Sequence, residues 1–241
     1  MVLVATRNPL NIGAAARAMS NLGFLRLRVV NPFEASFREA RSAVGAAPLL
    51  ANAEQFNSVA DAVADCALVV GTTAARDREL NHPLRLLNQG ASIIRKRLRS
   101  GSRVALLFGS EKRGLANDDL SHCHWLMHIP TREEHVSMNL GQAVAVCLYE
   151  LAREAGLDGI GSKAATKAEK IKPATGAELE RITRKLQDAL RRSGYLGQHP
   201  MAAKEEKIRR MVRRLQLSAA DAEVWLGMLR QILWKLKTPG K

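Results

Sequence analysis

From the N-terminus to about residue 155, short apolar runs alternate with segments of helical period, and this alternation constrains the fold more than any other feature. Residues 2–5 read as a strand, and residues 11–22 as a helix with Ile12, Ala15, Ala16 and Met19 on one face. Leu25, Leu27 and Val29 alternate with Arg26 and Arg28, the period of a strand. Residues 67–71 read as a buried strand, 84–98 as a basic helix, 104–108 and 125–129 as strands, and 140–151 as a helix. Strands that alternate with helices are joined by crossovers, which build a mostly parallel sheet covered on both faces. The expected fold class is therefore α/β, with a domain over residues 1–155.

The pattern breaks at residues 156–175. Three glycines, several lysines and Pro173 predict an exposed, mobile linker there. Beyond it, Thr175 and Glu178 have the spacing of a capping box. Three apolar stripes follow: Leu179, Ile182, Leu186 and Leu190; Ile208, Met211, Val212 and Leu215; and, after a cap at Ser218, Trp225, Leu229, Ile232 and Leu236. They predict a small helical domain over 176–241. The charge is uneven: residues 1–155 contribute +4 and residues 156–241 contribute +10 of the net +14. Such a basic tail points to an anionic partner, nucleic acid first. Aromatic residues are only 4% of the chain, which argues against a long track of base-stacking rings. The chain has three cysteines at irregular spacing and no apolar run approaching the roughly 20 residues of a membrane span, which fits a reduced, cytoplasmic setting.

Three segments carry the chemistry. The first runs from Asn8 through Asn11, Ile12 and Gly13 to Arg17, and sets a guanidinium just beyond a strand exit. The second is Phe108-Gly109-Ser110-Glu111 with Gly114-Leu115; it lacks the Gly-Lys-Ser/Thr ending of a nucleotide-hydrolysing loop. The third joins Ile129-Pro130 to Ser137-Met138-Asn139-Leu140. With Thr72-Thr73-Ala74, these loops bring small polar residues to strand ends, where α/β sheets place their ligand sites. Taken singly, Glu111 also reads as a turn carboxylate and Ser137 as a helix cap. His122, Cys123, His124 and His128 lack the paired spacing of a zinc site, so no metal is expected.

Together the three segments resemble the SPOUT superfamily of RNA methyltransferases, in particular the TrmH-like 2′-O-methyltransferases. The tail resembles the TrmJ branch of that family in Ala177–Glu180, Arg192–Tyr195 and Arg209–Arg214. The resemblance implies a trefoil knot in the C-terminal half of the catalytic domain and S-adenosylmethionine as cofactor, lined by Thr72, Thr73, Ala74, Gly109, Ile129, Ser137, Met138 and Asn139. It also implies a homodimer and 2′-O-methylation of a cytidine or uridine ribose in the tRNA anticodon loop. Arg17, Asn11, Glu111, Ser137 and Asn139 then become the catalytic set, with Arg17 serving the neighbouring subunit. A guanidinium holds its proton too tightly to act as a base, so Arg17 is expected to clamp a phosphate and steady the developing alkoxide. Glu111 is expected to hold the motif loop and to touch Arg17. Ribosomal RNA as substrate, and a catalytically idle RNA-binding relative, are the alternatives.

Overall fold

The structure, a computed structural model, describes residues 1–40, 45–74, 81–153, 172–196 and 201–237. Seven strands, β1 (Val2–Val4), β2 (Arg28–Val30), β3 (Glu54–Phe56), β4 (Leu68–Thr72), β5 (Leu84–Leu86), β6 (Val104–Phe108) and β7 (Trp125–His128), form one sheet. Their order is β3-β2-β1-β6-β4-β7-β5, and every neighbouring pair is parallel. Both faces are covered, as a parallel sheet requires. Leu3, Val70, Leu106 and Met127 face a core shared with α1 (Pro9–Asn21), α5 (Leu87–Arg99) and α7 (Leu140–Ala152). Val2, Val4, Val69 and Leu107 face a second core with α4 (Val59–Ala62) and α6 (Asn117–Ser121). Two short helices, α2 (Glu34–Ala40) and α3 (Ala47–Ala51), complete the first layer.

Three expectations change in detail. Arg28 does not face water on an alternating strand: it is buried. Its guanidinium donates to both carboxylate oxygens of Asp65 at 2.5 and 2.8 Å, donates to the Ala62 carbonyl at 2.7 Å and lies over the Phe56 ring. That bidentate pair holds the Asp65 carboxyl well below its usual range. The basic helix expected from residue 84 begins instead at Leu87, because Leu84–Leu86 pairs with Leu126–His128 as the edge strand β5. Helix α1 starts two residues earlier than its apolar period suggests. Asn8 accepts a hydrogen bond from the Leu10 amide, and Pro9 occupies the first turn, where its missing N–H costs nothing.

Three longer helices follow: α8 (Gly176–Arg192), α9 (Met201–Arg214) and α10 (Ala219–Lys237). The capping box forms as its spacing requires, with Glu178 accepting from the Thr175 amide at 2.7 Å and donating its own amide to the Thr175 hydroxyl at 3.3 Å. Leu179, Ile182, Val212, Ala222, Leu226 and Leu229 make a third core. The stripe expected on α10 is rotated: Ala222, Leu226, Leu229 and Leu233 are buried, whereas Ile232 and Leu236 are exposed. At the end of the expected linker, Ala174 is buried and its amide bonds to Leu217; residues 156–171 lie outside the described residues. Among the described residues, no helix is long and apolar enough to cross a membrane.

Candidate active site

At the C-terminal edge of the sheet, the loops after β4, β6 and β7 enclose a cavity of about 470 Å³. Asn11, Thr72, Thr73, Ala74, Gly109, Glu111, Ile129, Ser137, Met138 and Asn139 all line it, so the structure brings together every expected site residue except one. Arg17 is the exception. It lies six residues beyond Asn11 on α1, exposed on the side of the helix away from the buried face, and makes no contact with Glu111.

The three motif segments are joined by one chain of hydrogen bonds. Asn139 donates through Nδ2 to Asn11 Oδ1 at 2.8 Å, and Asn11 donates through Nδ2 to Glu111 Oε1 at 3.1 Å. The single oxygen of the same Asn139 amide caps α7, accepting from the Gly141 amide at 2.9 Å. Asn139, and not Ser137, is therefore the helix cap. The Ser137 hydroxyl makes no hydrogen bond among the described residues and stands exposed at the cavity. Glu111 also accepts from the Asn8 amide at 3.2 Å and the Arg7 amide at 3.5 Å. Burial alone would raise the Glu111 pKa, but these donors and its own amide outweigh that effect and hold the group below its ordinary value. Glu111 is thus a charged brace between the loops after β1 and β6.

Local conformation sets the cavity wall. Gly114 has φ +65°, and its amide donates to the Ser110 carbonyl at 2.8 Å, folding residues 109–114 back on themselves. A Cβ on Gly109 would lie 2.0 Å from the Gly114 carbonyl carbon, so no other residue fits there without opening the loop. Thr72 donates its hydroxyl to the Leu107 carbonyl at 2.8 Å, and the Thr73 amide donates to Met127, so these two build the wall through bonds already made. Thr131 and Val136 were not singled out from the sequence and reach the cavity only through the fold.

His122, Cys123 and His124 have packing roles. His124 Nδ1 accepts from the Val69 amide at 3.0 Å, and burial pushes the Cys123 thiol up to about 12. His122 Nδ1 lies 3.8 Å from Glu180, yet burial and the guanidinium groups of Arg209 and Arg213 bring its pKa down to about 3. The imidazole is neutral, so the contact is not an ion pair.

The cavity has the size and mixed lining of a small-molecule site. Leu115, Met127 and Ile129 offer apolar contacts, and Ser110, Thr131 and Ser137 offer hydroxyls. The described groups fit S-adenosylmethionine in kind: a flat aromatic ring against aliphatic side chains, with polar ends against hydroxyls and loop amides.

Residues 1–149 match the model of the SpoU rRNA Methylase family. The chain is 34% identical to a tRNA (cytidine/uridine-2′-O-)-methyltransferase TrmJ of Sodalis glossinidius over 96% of this chain and 90% of that protein. It is also 34% identical to a tRNA (cytidine/uridine/adenosine-2′-O-)-methyltransferase TrmJ of Pseudomonas aeruginosa, over 96% and 92% of the two chains. Its fold superposes on the crystal structure of TrmJ from Z. mobilis ZM4 with a TM-score of 0.80 and 30% identity, covering 96% of this chain and 97% of that one. A family model over more than half the chain, full-length relatives and a seven-stranded parallel sheet agree: the chain belongs to the SpoU methylase family.

Proposed function

We propose that this chain transfers the methyl group of S-adenosylmethionine to a ribose 2′-oxygen of tRNA. The observation that carries the reading is the Asn139–Asn11–Glu111 chain, which locks three separate segments around one cavity. tRNA is favoured over ribosomal RNA because relatives matching across the tail as well as the catalytic part carry tRNA in their names. Cytidine and uridine are the bases those names share, and the Pseudomonas relative's name adds adenosine. The anticodon loop is the region we assign.

When bound, S-adenosylmethionine supplies an electrophilic sulfonium methyl. Gly109, Ile129, Met138, Ala74 and the loop of Thr72 and Thr73 would hold it, with Ser137 at its polar end. Glu111 keeps the loops after β1 and β6 in register, and Asn11 and Asn139 fix the distance between the first and third motifs. Holding the 2′-oxygen in line with the methyl contributes about 7–11 kcal/mol in favourable cases. Arg17 of the partner subunit clamps the adjacent phosphate and stabilises the developing alkoxide.

A homodimer is supported by an exposed face. Leu10 (81% exposed), Ala14 and Arg17 follow one another on α1, beside Gln142, Val146 and Tyr149 (58% exposed) on α7. The trefoil knot is supported by the strand order, in which β7 lies between β4 and β5, which precede it consecutively in sequence. We divide the chain into a catalytic domain over 1–155, a connection over 156–175 and a helical, RNA-contacting domain over 176–241. Three buried, unpaired thiols suit a reduced, cytoplasmic setting. Calorimetry with S-adenosylmethionine, followed by transfer of labelled methyl to unmodified tRNA, tests the reading. Binding without transfer to any tRNA would favour an idle RNA-binding protein.

A further inference from the structure

The two strands beside the cavity end alike. Val4 of β1 and Val30 of β2 are register partners. The residue after each, Ala5 and Asn31, has a positive φ of 49° and 47°. Alanine is disfavoured there, because its Cβ crowds the following carbonyl. Each residue is still a rung of the ladder: the Ala5 amide donates to Val30 at 2.9 Å and the Asn31 amide to Phe56 at 3.0 Å. The chain then turns sharply at both positions. Two residues further on stand Arg7 and Phe33, at equivalent places on adjacent strands, with the guanidinium carbon 5.8 Å from the ring centroid.

Neither residue is explained by the core. Phe33 is 53% exposed and belongs to neither cluster that packs on the sheet, and Arg7 is exposed. The pair is nevertheless anchored to the active site, since the Arg7 and Asn8 amides both bond to the Glu111 carboxylate. β2 lies two strands from β6, roughly 10 Å across the sheet at strand spacing. An exposed ring beside a cation, set by two left-handed turns at that distance from the methyl-transfer cavity, matches what an unpaired nucleotide requires. Bases splayed from a loop stack on aromatic rings, and the flanking phosphate takes a guanidinium.

We propose that Phe33 and Arg7 form a shelf that holds a nucleotide next to the methylated one, its base stacked on Phe33 and its phosphate on Arg7. This rests on the RNA methyltransferase reading and adds a substrate subsite to it. With so few aromatic residues in the chain, it is a single-base contact. Its purpose is to fix the direction in which the RNA strand crosses the cavity.

Phe33→Ala, Phe33→Trp and Arg7→Ala in the full-length protein test the shelf with unmodified tRNA and S-adenosylmethionine. Phe33→Ala raises the KM and Kd for tRNA about tenfold, the loss of one base stack, while affinity for S-adenosylmethionine holds. Phe33→Trp restores tRNA affinity, and Arg7→Ala lowers the slope of log affinity against log salt by about one. Unchanged tRNA affinity in Phe33→Ala, or equal loss in Phe33→Trp, would overturn the shelf. Wild-type protein that binds both ligands but transfers no methyl would sink the proposed activity instead, and tRNA affinity alone would then judge the shelf.

Discussion

Asn139 uses one amide for two purposes, and its variants separate them. Its oxygen caps α7 and its nitrogen reaches Asn11. Asn139→Asp keeps the acceptor and loses the donor. It should melt near the wild-type temperature and bind S-adenosylmethionine more weakly, because the first and third motifs are no longer tied. Asn139→Ala loses both and should also cost about 1 kcal/mol of stability, the usual value of a cap. Thermal melts and calorimetry on the two variants check this; equal melting losses would remove the cap from the account. The sequence marked Asn139, Asn11 and Glu111 as site residues, but not the bonds among them, which run between positions about a hundred or more apart in the chain. The place of Arg17 was not legible: nothing in a helical period says that its face turns away from its own cavity.

At the scale of elements, α9 differs most from a surface reading of its arginines. Arg209, Arg210, Arg213 and Arg214 look like a basic patch in sequence. Arg213 is fully buried, with its Nη2 3.5 Å from the Gly176 carbonyl, and burial lowers its pKa to about 10. Arg209 binds Asp118 at 2.9 Å and the Ser121 hydroxyl at 2.8 Å, tying α9 to α6, whose Leu120 lines the cavity. Arg209 and Arg213 dock the tail, and under the proposed function the cations left exposed for RNA include Arg184 and Arg214. Arg209→Ala should therefore cost about 1.5–3 kcal/mol of stability, as lost charged hydrogen bonds do, and weaken S-adenosylmethionine binding. Arg184→Ala should leave stability within about 0.5 kcal/mol and weaken tRNA binding in a salt-dependent way. Denaturant melts and tRNA titrations across salt distinguish the two classes. The stripe on α10 was misread for a related reason: apolar residues occur on more than one side of that helix, and contact with α8 selects the buried one.

Three buried histidines give the same interface a pH signature. Burial, with Arg213 nearby for His124 and Arg210 for His82, brings His124 down to about 3 and His82 to about 4, and His122 behaves as described above. The unfolded chain takes up protons near pH 6.5 that the folded chain refuses. The histidine contribution is thus complete above about pH 6.5 and is lost as the pH drops toward 4. Asp65 acts in a different window: its lowered carboxyl keeps its contribution until the pH falls below about 4. Melting temperature should fall as the pH is lowered from about 6.5 to about 5, and a flat profile over that range would contradict the histidine account.

For the whole molecule, the parallel sheet was readable from the alternation of apolar runs, and the edge strand β5 was not, because three residues beside a helix carry no period of their own. The proposed homodimer is tested through Arg17. If it serves the other subunit, mixing Arg17→Ala with Gly109→Val should restore part of the activity, since one site of each mixed dimer has both an intact loop and an intact guanidinium. Two variants that stay inactive after subunit exchange would place Arg17 in its own cavity. The central claim is methyl transfer to ribose. The most direct measurement is mapping 2′-O-methylated nucleotides in unmodified tRNA treated with the purified protein and S-adenosylmethionine. The account predicts a 2′-O-methyl group on a cytidine or uridine of the anticodon loop, lost in Arg17→Ala although S-adenosylmethionine still binds; methyl on a base, or undiminished transfer by Arg17→Ala, would contradict it.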